Sequence, residues 1–116
     1  MTGSGANGST PAQAVSGRMA ELRDEFVDFI SQLVLEESPS TDPQAQRGIR
    51  AILTETLSDL GLEVEHIPGQ ASGGHLLARS GGTADGRAAA DGPQLLVGHM
   101  DTVWPIGTLR EMPVRV

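Results

Sequence analysis

The segment that says most about the fold and function of this chain is Leu95-Leu96-Val97-Gly98-His99-Met100-Asp101-Thr102-Val103-Trp104. Side chains of a β-strand alternate with a period of two, so His99 and Asp101 would project from one face, where the carboxylate can reach the imidazole. Such an aspartate fixes the tautomer of a histidine whose other nitrogen binds a metal. An isolated histidine at a strand end is more often simply exposed or hydrogen-bonded, but the surrounding motif favours half of a metal site.

One His-Asp pair cannot hold a zinc ion, which needs about three or four protein ligands. The other histidines of the chain are His66 and His75, and neither has a carboxylate at a convincing ligand spacing. Both are therefore predicted to be surface residues. The remaining ligands are expected to lie downstream, and the chain is interpreted as the amino-terminal piece of a larger hydrolase.

The composition narrows the classes of function. Eight basic and fifteen acidic residues give a net charge of −7 without any basic run, which disfavours binding to nucleic acid. The chain has no cysteine, so a zinc site would depend on histidine and carboxylate ligands. No signal peptide and no membrane-spanning run are visible, and we expect a soluble, cytoplasmic protein that does not bind membranes.

The first part of the chain is predicted to be a tail followed by two helices. Residues 1–15 are polar and glycine-rich and are expected to be a flexible tail, whereas residues 16–116 are assigned to one domain. Apolar residues at helical spacing predict an amphipathic helix from Ser16 to near Glu36. Asp42-Pro43 has the form of an N-cap and first residue for a second helix, which Gly61 would end.

The second part is predicted to be a sheet. Residues 62–67 alternate polar and apolar side chains, residues 74–79 are a second strand, and residues 80–93 are a surface loop. The apolar run 94–99 is expected to be a central strand covered on both faces. Helix, helix, strand, strand, strand indicates an α/β fold. Ligands of such sheets bind at the carboxyl ends of the strands, where His99 would lie.

The segment from Leu95 to Leu109, read together with the helices and strands before it, closely resembles the first metal-binding motif of the M20 metallopeptidases. Its aromatic residue, glycine and leucine after His-Met-Asp-Thr-Val are most similar to the glutamate carboxypeptidase branch. The resemblance covers roughly Met19 to Val116, although only the motif is specific. It implies the amino-terminal part of an incomplete three-layer α/β catalytic domain of a zinc-dependent exopeptidase.

The resemblance also implies roles and cofactors. Enzymes of this family use two zinc ions and a glutamate base to hydrolyse amide bonds next to a free carboxylate. By this resemblance His99 would be a zinc ligand and Asp101 the active-site residue that orients it, while the other ligands would follow Val116. The substrate would be an N-acyl amino acid or small peptide, and a homodimer is expected only if a second domain is present.

Several alternatives stay open at this stage. The chain could belong to an amino-acid deacylase of the same family, or be a non-catalytic, truncated remnant. A serine hydrolase has little support, because Ser31, Ser38 and Ser40 lack a Gly-x-Ser-x-Gly setting. Nucleotide binding is also disfavoured, since the glycine-rich segments lack the helix or the lysine of a phosphate loop.

Overall fold

The computed structural model describes residues 8–81, 92 and 94–116. These residues form both helices and a sheet, in agreement with a mixed α/β class. The elements are α1 (Pro11–Glu21), α2 (Arg23–Leu35), α3 (Gln46–Asp59), β1 (Leu62–Ile67), β2 (His75–Ser80) and a short 3-10 helix at Thr108–Arg110. The two strands pair antiparallel, so the described sheet is a hairpin.

The first predicted helix is divided into α1 and α2 at Leu22, whose φ of −90° and ψ of 8° leave the helical region. It also begins earlier than Ser16. Thr10 caps α1 by accepting from the Gln13 N–H while the Gln13 side chain accepts from the Thr10 N–H, and Pro11 occupies the first turn. The end of the predicted tail is therefore helical, and residues 1–7 lie outside the described part. No described helix is long and apolar enough to cross a membrane.

The second predicted helix is present, with a later start. The Asp42 carboxylate accepts from the backbone N–H groups of Gln44 and Ala45, so it caps a turn that leads into α3 at Gln46. The predicted helix end is confirmed, because Gly61, the second residue after α3, has a φ of +81°. The prediction that Asp42 is the N-cap and Pro43 the first residue of this helix is therefore wrong, because Ala45 precedes α3 without a side-chain cap and Asp42 caps the earlier turn instead.

The hairpin forms where the alternating pattern predicted it. The observed bounds of β1 are those predicted, and β2 lies one residue later than predicted, with Val64 opposite Ala78 and His66 opposite Leu76. Helix α3 packs against this hairpin. Ile49 of α3 is 7% exposed and is the buried hydrophobic side chain among the described residues. The apolar core is therefore small and lies between α3 and the hairpin.

The prediction of a third strand at residues 94–99 is wrong for this structure. The backbone of this segment forms no strand, and Leu95, Leu96 and Val97 are 84%, 94% and 86% exposed. A strand depends on a hydrogen-bonded neighbour, and a central strand also depends on layers that cover both faces. None of the described elements supplies these for this run. Most of the predicted loop 80–93 lies outside the described residues.

Candidate functional site

His99 and Asp101 lie together, as the motif predicted, but the main chain of Asp101 makes the closest contact. Nδ1 of His99 lies 2.9 Å from the Asp101 backbone carbonyl oxygen and 3.6 Å from the Asp101 carboxylate oxygen. The His99 side chain is 85% exposed, whereas that of Asp101 is 39% exposed. The ring is therefore held on its Nδ1 side, and its Nε2 side is open to further groups.

The Asp101 carboxylate is stabilised in its ionised form. The neighbouring Ser40 hydroxyl is the main cause that lowers the pKa of Asp101 below its ordinary value of 3.8, and the backbone N–H of Asp101 and the His99 ring act in the same direction. Burial opposes them by penalising the charge. The Ser40 Oγ also lies 3.1 Å from the Thr102 carbonyl oxygen. Asp101 is consequently an anion beside His99 at neutral pH.

The segment that follows α2, which we call the Glu37–Ser40 connector, holds the motif from its other side. Pro39 and Thr102 form an isolated parallel β-bridge. The Thr102 N–H donates to the Ser38 carbonyl at 2.8 Å, and the Ser40 N–H donates to the Thr102 carbonyl at 2.9 Å. The Ser38 hydroxyl donates to the Met100 carbonyl at 2.9 Å. The residues that flank His99 and Asp101 are thus bonded to the connector.

Glu37 extends this contact to the turn after the motif. One oxygen of its carboxylate accepts from the Gly107 N–H at 2.7 Å, and the other accepts from the Leu109 N–H at 3.0 Å. Both backbone groups belong to the start of the 3-10 helix, where N–H groups lack partners within the helix. These two bonds, that of Leu109 first, lower the pKa of Glu37 below its ordinary value of 4.5. The ionised carboxylate of Glu37 therefore fixes the turn that leads into the 3-10 helix.

Acid should loosen this contact. Because the pKa of Glu37 is lower in the folded than in the unfolded chain, its stabilising effect is complete above about pH 4.5 and is lost as the pH falls through the folded-state value. We expect Glu37→Gln to be less stable than the unmodified chain at pH 7 and to lose less stability between pH 7 and pH 3. Urea unfolding at several pH values measures this. Glu63→Gln controls for the change of net charge, and equal pH dependence of Glu37→Gln and the unmodified chain would contradict the assignment.

Gln46, the first residue of α3, ties the connector to the hairpin. Its side chain is 2% exposed. The amide nitrogen donates to the Pro39 carbonyl at 2.9 Å, and the amide oxygen accepts from the Gly73 N–H at 2.8 Å. The Gly73 carbonyl in turn lies 2.8 Å from the Arg50 guanidinium and 2.9 Å from Nε2 of His66. The buried Gln46 amide thus joins the connector, which is bonded to the motif, to the turn before β2.

A cavity of about 620 Å³ opens beside the His99–Asp101 pair. Leu53 and Leu57 of α3 form an apolar part of its wall. The polar groups that line it belong to Gln46, Ser72, His75, His99 and Asp101. A volume of this size and a mixed lining are typical of small-molecule sites. His75, which the sequence indicated to be a surface residue, lies at this cavity together with His99. Among the described residues, no group of three or more His, Cys, Asp or Glu side chains is arranged to hold a metal ion.

Several residues of this site were missed in the sequence. Ser38 and Ser40 are predicted to belong to a connector between the two helices and are disfavoured as nucleophiles, and no role is predicted for Glu37 or Gln46. The signal that could have found them is a short polar connector, Glu-Ser-Pro-Ser, between two amphipathic helices, because such residues are suited to bonding backbone groups. The partners of Ser38, Ser40 and Glu37 lie 62–72 positions away and those of Gln46 lie 7 and 27 positions away. No local pattern identifies these partners.

Comparisons of the chain with protein-family models, with curated proteins and with solved structures find no match.

Proposed function

We propose that this chain supplies the first zinc ligand, His99, and its orienting residue, Asp101, to a cytoplasmic M20-type hydrolase. The substrate class would be N-acyl amino acids or small peptides with a free terminal carboxylate. The observation that carries the proposal is the hold of Asp101 on Nδ1 of His99, at 2.9 Å from its carbonyl oxygen. This hold leaves Nε2 as the nitrogen that can bind a metal.

The donor set fits one corner of a zinc site. A neutral imidazole with an engaged Nδ1 and an exposed Nε2 is a suitable ligand, and the carboxylate of Asp101 lies 3.6 Å from Nδ1. A bound pair of zinc ions would supply a water of lowered pKa and a polarised substrate carbonyl. The described residues provide one histidine for this set, and the remaining ligands would come from other residues of the protein.

The exposed apolar run Leu95–Val97 supports the same proposal for the fold. Three consecutive apolar residues at 84–94% exposure indicate a surface that other parts of a protein cover. In the three-layer α/β domain that we propose, further layers of the protein would cover this run.

A non-catalytic remnant is the rival function, and the same exposed run favours it if nothing covers the segment. An exposed apolar strand promotes association or instability. An amino-acid deacylase of the same family is a rival within the enzymes. It would differ in the acyl group that it removes, which activity on acetylated or succinylated amines against small peptides would show.

The first test is the intact mass of the protein recovered from its own cells, compared with the 12.1 kDa of this chain. A mass several-fold larger, with zinc that survives dialysis and with hydrolysis of N-acyl amino acids, is the expected result. In that protein His99→Ala should reduce activity by at least about 100-fold, whereas Asp101→Asn, which keeps the backbone carbonyl that holds Nδ1, should have the smaller effect of the two. His66→Ala is the matched histidine control, because His66 does not line the cavity beside His99. A mass of 12.1 kDa without retained zinc would remove the enzyme proposal and leave the remnant.

A further inference from the structure

We propose that a groove formed by α3 and β1 binds a phosphate group, free or as a monoester, through the guanidinium groups of Arg47 and Arg50. The groove has a volume of about 580 Å³ and shares no lining residue with the cavity beside His99. The residues that line it are Arg47, Arg50, Ala51, Thr54, Glu55 and His66. Binding here is a function additional to amide hydrolysis and does not depend on it.

The position of the two arginines is the first observation. They are three residues apart on α3, a spacing that places side chains next to each other on one face of a helix. Both lie in the first two turns of α3, near the end of the helix that carries positive partial charge. The two guanidinium groups therefore repel each other and also oppose the helix dipole. An anion bound between them would remove both costs.

The absence of neutralising partners is the second observation. The chain carries fifteen acidic and eight basic residues, so carboxylates are in excess. In the described part of the chain, the arginines that form ion pairs with carboxylates are Arg18, Arg23 and Arg79. Arg47 and Arg50 form none there. Two adjacent positive charges in an acidic protein are thus left available to a ligand.

Arg50 is already held in place for such a contact. Nη1 of its guanidinium donates to the Gly73 carbonyl at 2.8 Å, and Nε2 of His66 lies 2.9 Å from the same oxygen. A guanidinium has five N–H donors in a planar fork, so this bond restrains the group and leaves further donors for an anion. Arg47 is exposed and is free to turn toward the same ligand. The groove therefore combines one restrained and one mobile guanidinium.

The charge of the groove favours phosphate over a carboxylate. Two guanidinium groups match the charge of about −1.5 to −2 that a phosphate monoester carries at pH 7, whereas a carboxylate carries a single charge. Phosphate oxygens also accept the paired N–H bonds that arginine donates. Glu55 lines the same groove, but it is exposed and lies about 7.5 Å beyond Arg50 along the helix axis. Its repulsion is therefore partly screened and weakens binding only modestly.

Titration of the protein with inorganic phosphate at pH 7 and a constant ionic strength of about 0.15 M tests the site. Proton–nitrogen NMR of the arginine side chains follows each guanidinium. The signals of Arg47 and Arg50 should shift together and saturate in the millimolar range, while that of Arg23 stays unchanged. Arg47→Gln should weaken binding by about three- to tenfold. Arg23→Gln removes the same charge from α2 and should have no effect, whereas Glu55→Gln should strengthen binding.

Two further probes identify the source of the phosphate group. Tighter binding of glycerol 2-phosphate than of inorganic phosphate would assign the groove to monoesters, and the reverse order would assign it to free phosphate. Acetate should bind more weakly than either. Arg47→Gln leaves the bond between Arg50 and Gly73 in place, so the groove itself is retained. Shifts that do not saturate, equal phosphate affinities of Arg47→Gln and Arg23→Gln, or equal binding of acetate and phosphate would overturn the proposal.

Discussion

Replacing Gln46 by alanine should lower the free energy of unfolding by about 2–4 kcal/mol. The side chain is 2% exposed and satisfies the Pro39 carbonyl and the Gly73 N–H at once. Its removal leaves both backbone groups buried without their partner, and each unsatisfied group costs about 1–3 kcal/mol. Because the amide joins the connector to the hairpin, its loss should also disorder the cavity beside His99.

Urea unfolding followed by far-ultraviolet circular dichroism measures this cost. Gln44→Ala, two positions earlier and exposed, is the matched control and should change stability by less than about 0.5 kcal/mol. Gln46→Glu keeps the shape but places a carboxylate oxygen against the Pro39 carbonyl, so it should also be destabilised. Equal stability of Gln46→Ala and Gln44→Ala would show that the buried amide does not hold the two parts together.

Gly74→Ala should be at least as damaging, with a loss of about 3 kcal/mol or more. Gly74 has a φ of +88°, a conformation that costs a residue with a Cβ about 1–2 kcal/mol. In addition, the new Cβ would collide with the Ile67 carbonyl oxygen and would lie 2.8 Å from the Gly69 nitrogen. Both are backbone atoms that cannot move without opening the turn before β2.

Gly61→Ala separates the two causes. Gly61 has a similar φ of +81°, but no described atom lies within 4 Å of an added Cβ. It should therefore cost only the conformational part, about 1–2 kcal/mol. The difference between the two variants in thermal or urea unfolding measures the collision. If Gly61→Ala and Gly74→Ala were equally destabilised, the close approach of the turn to Ile67 would be refuted.

Local patterns predicted the elements that depend on neighbouring residues. Alternation gave the bounds of β1, and the proline and glycine signals located α3 within a few residues, because capping and turn formation are decided by residues near in sequence. The interruption at Leu22 has no such signal in the apolar spacing of the two helices. The prediction of a strand at 94–99 is wrong because apolar composition indicates only that a segment can be buried. A strand also requires a hydrogen-bonded neighbouring strand.

The candidate site was predictable only in part, for the same reason. The two-residue spacing of His99 and Asp101 predicts that their side chains lie close together. The structure places the Asp101 carboxylate oxygen 3.6 Å from Nδ1 of His99. The use of the Asp101 carbonyl, closer than its carboxylate, depends on which way the backbone is turned. That direction is set by the Thr102 N–H of the same peptide group, which donates to the Ser38 backbone carbonyl more than 60 positions earlier in the chain. Periodicity and motif spacing carry no information on such pairs.

The bonds from the Glu37–Ser40 connector limit how far the motif can be transplanted. A chain shortened to begin at α3, or a foreign scaffold that received only residues 95–109, would contain every residue of the motif. The carbonyls of Met100 and Thr102 and the N–H groups of Gly107 and Leu109 would nevertheless have lost the partners that orient them. Any engineered or natural transfer of this site therefore has to include the Glu37–Ser40 connector together with the motif.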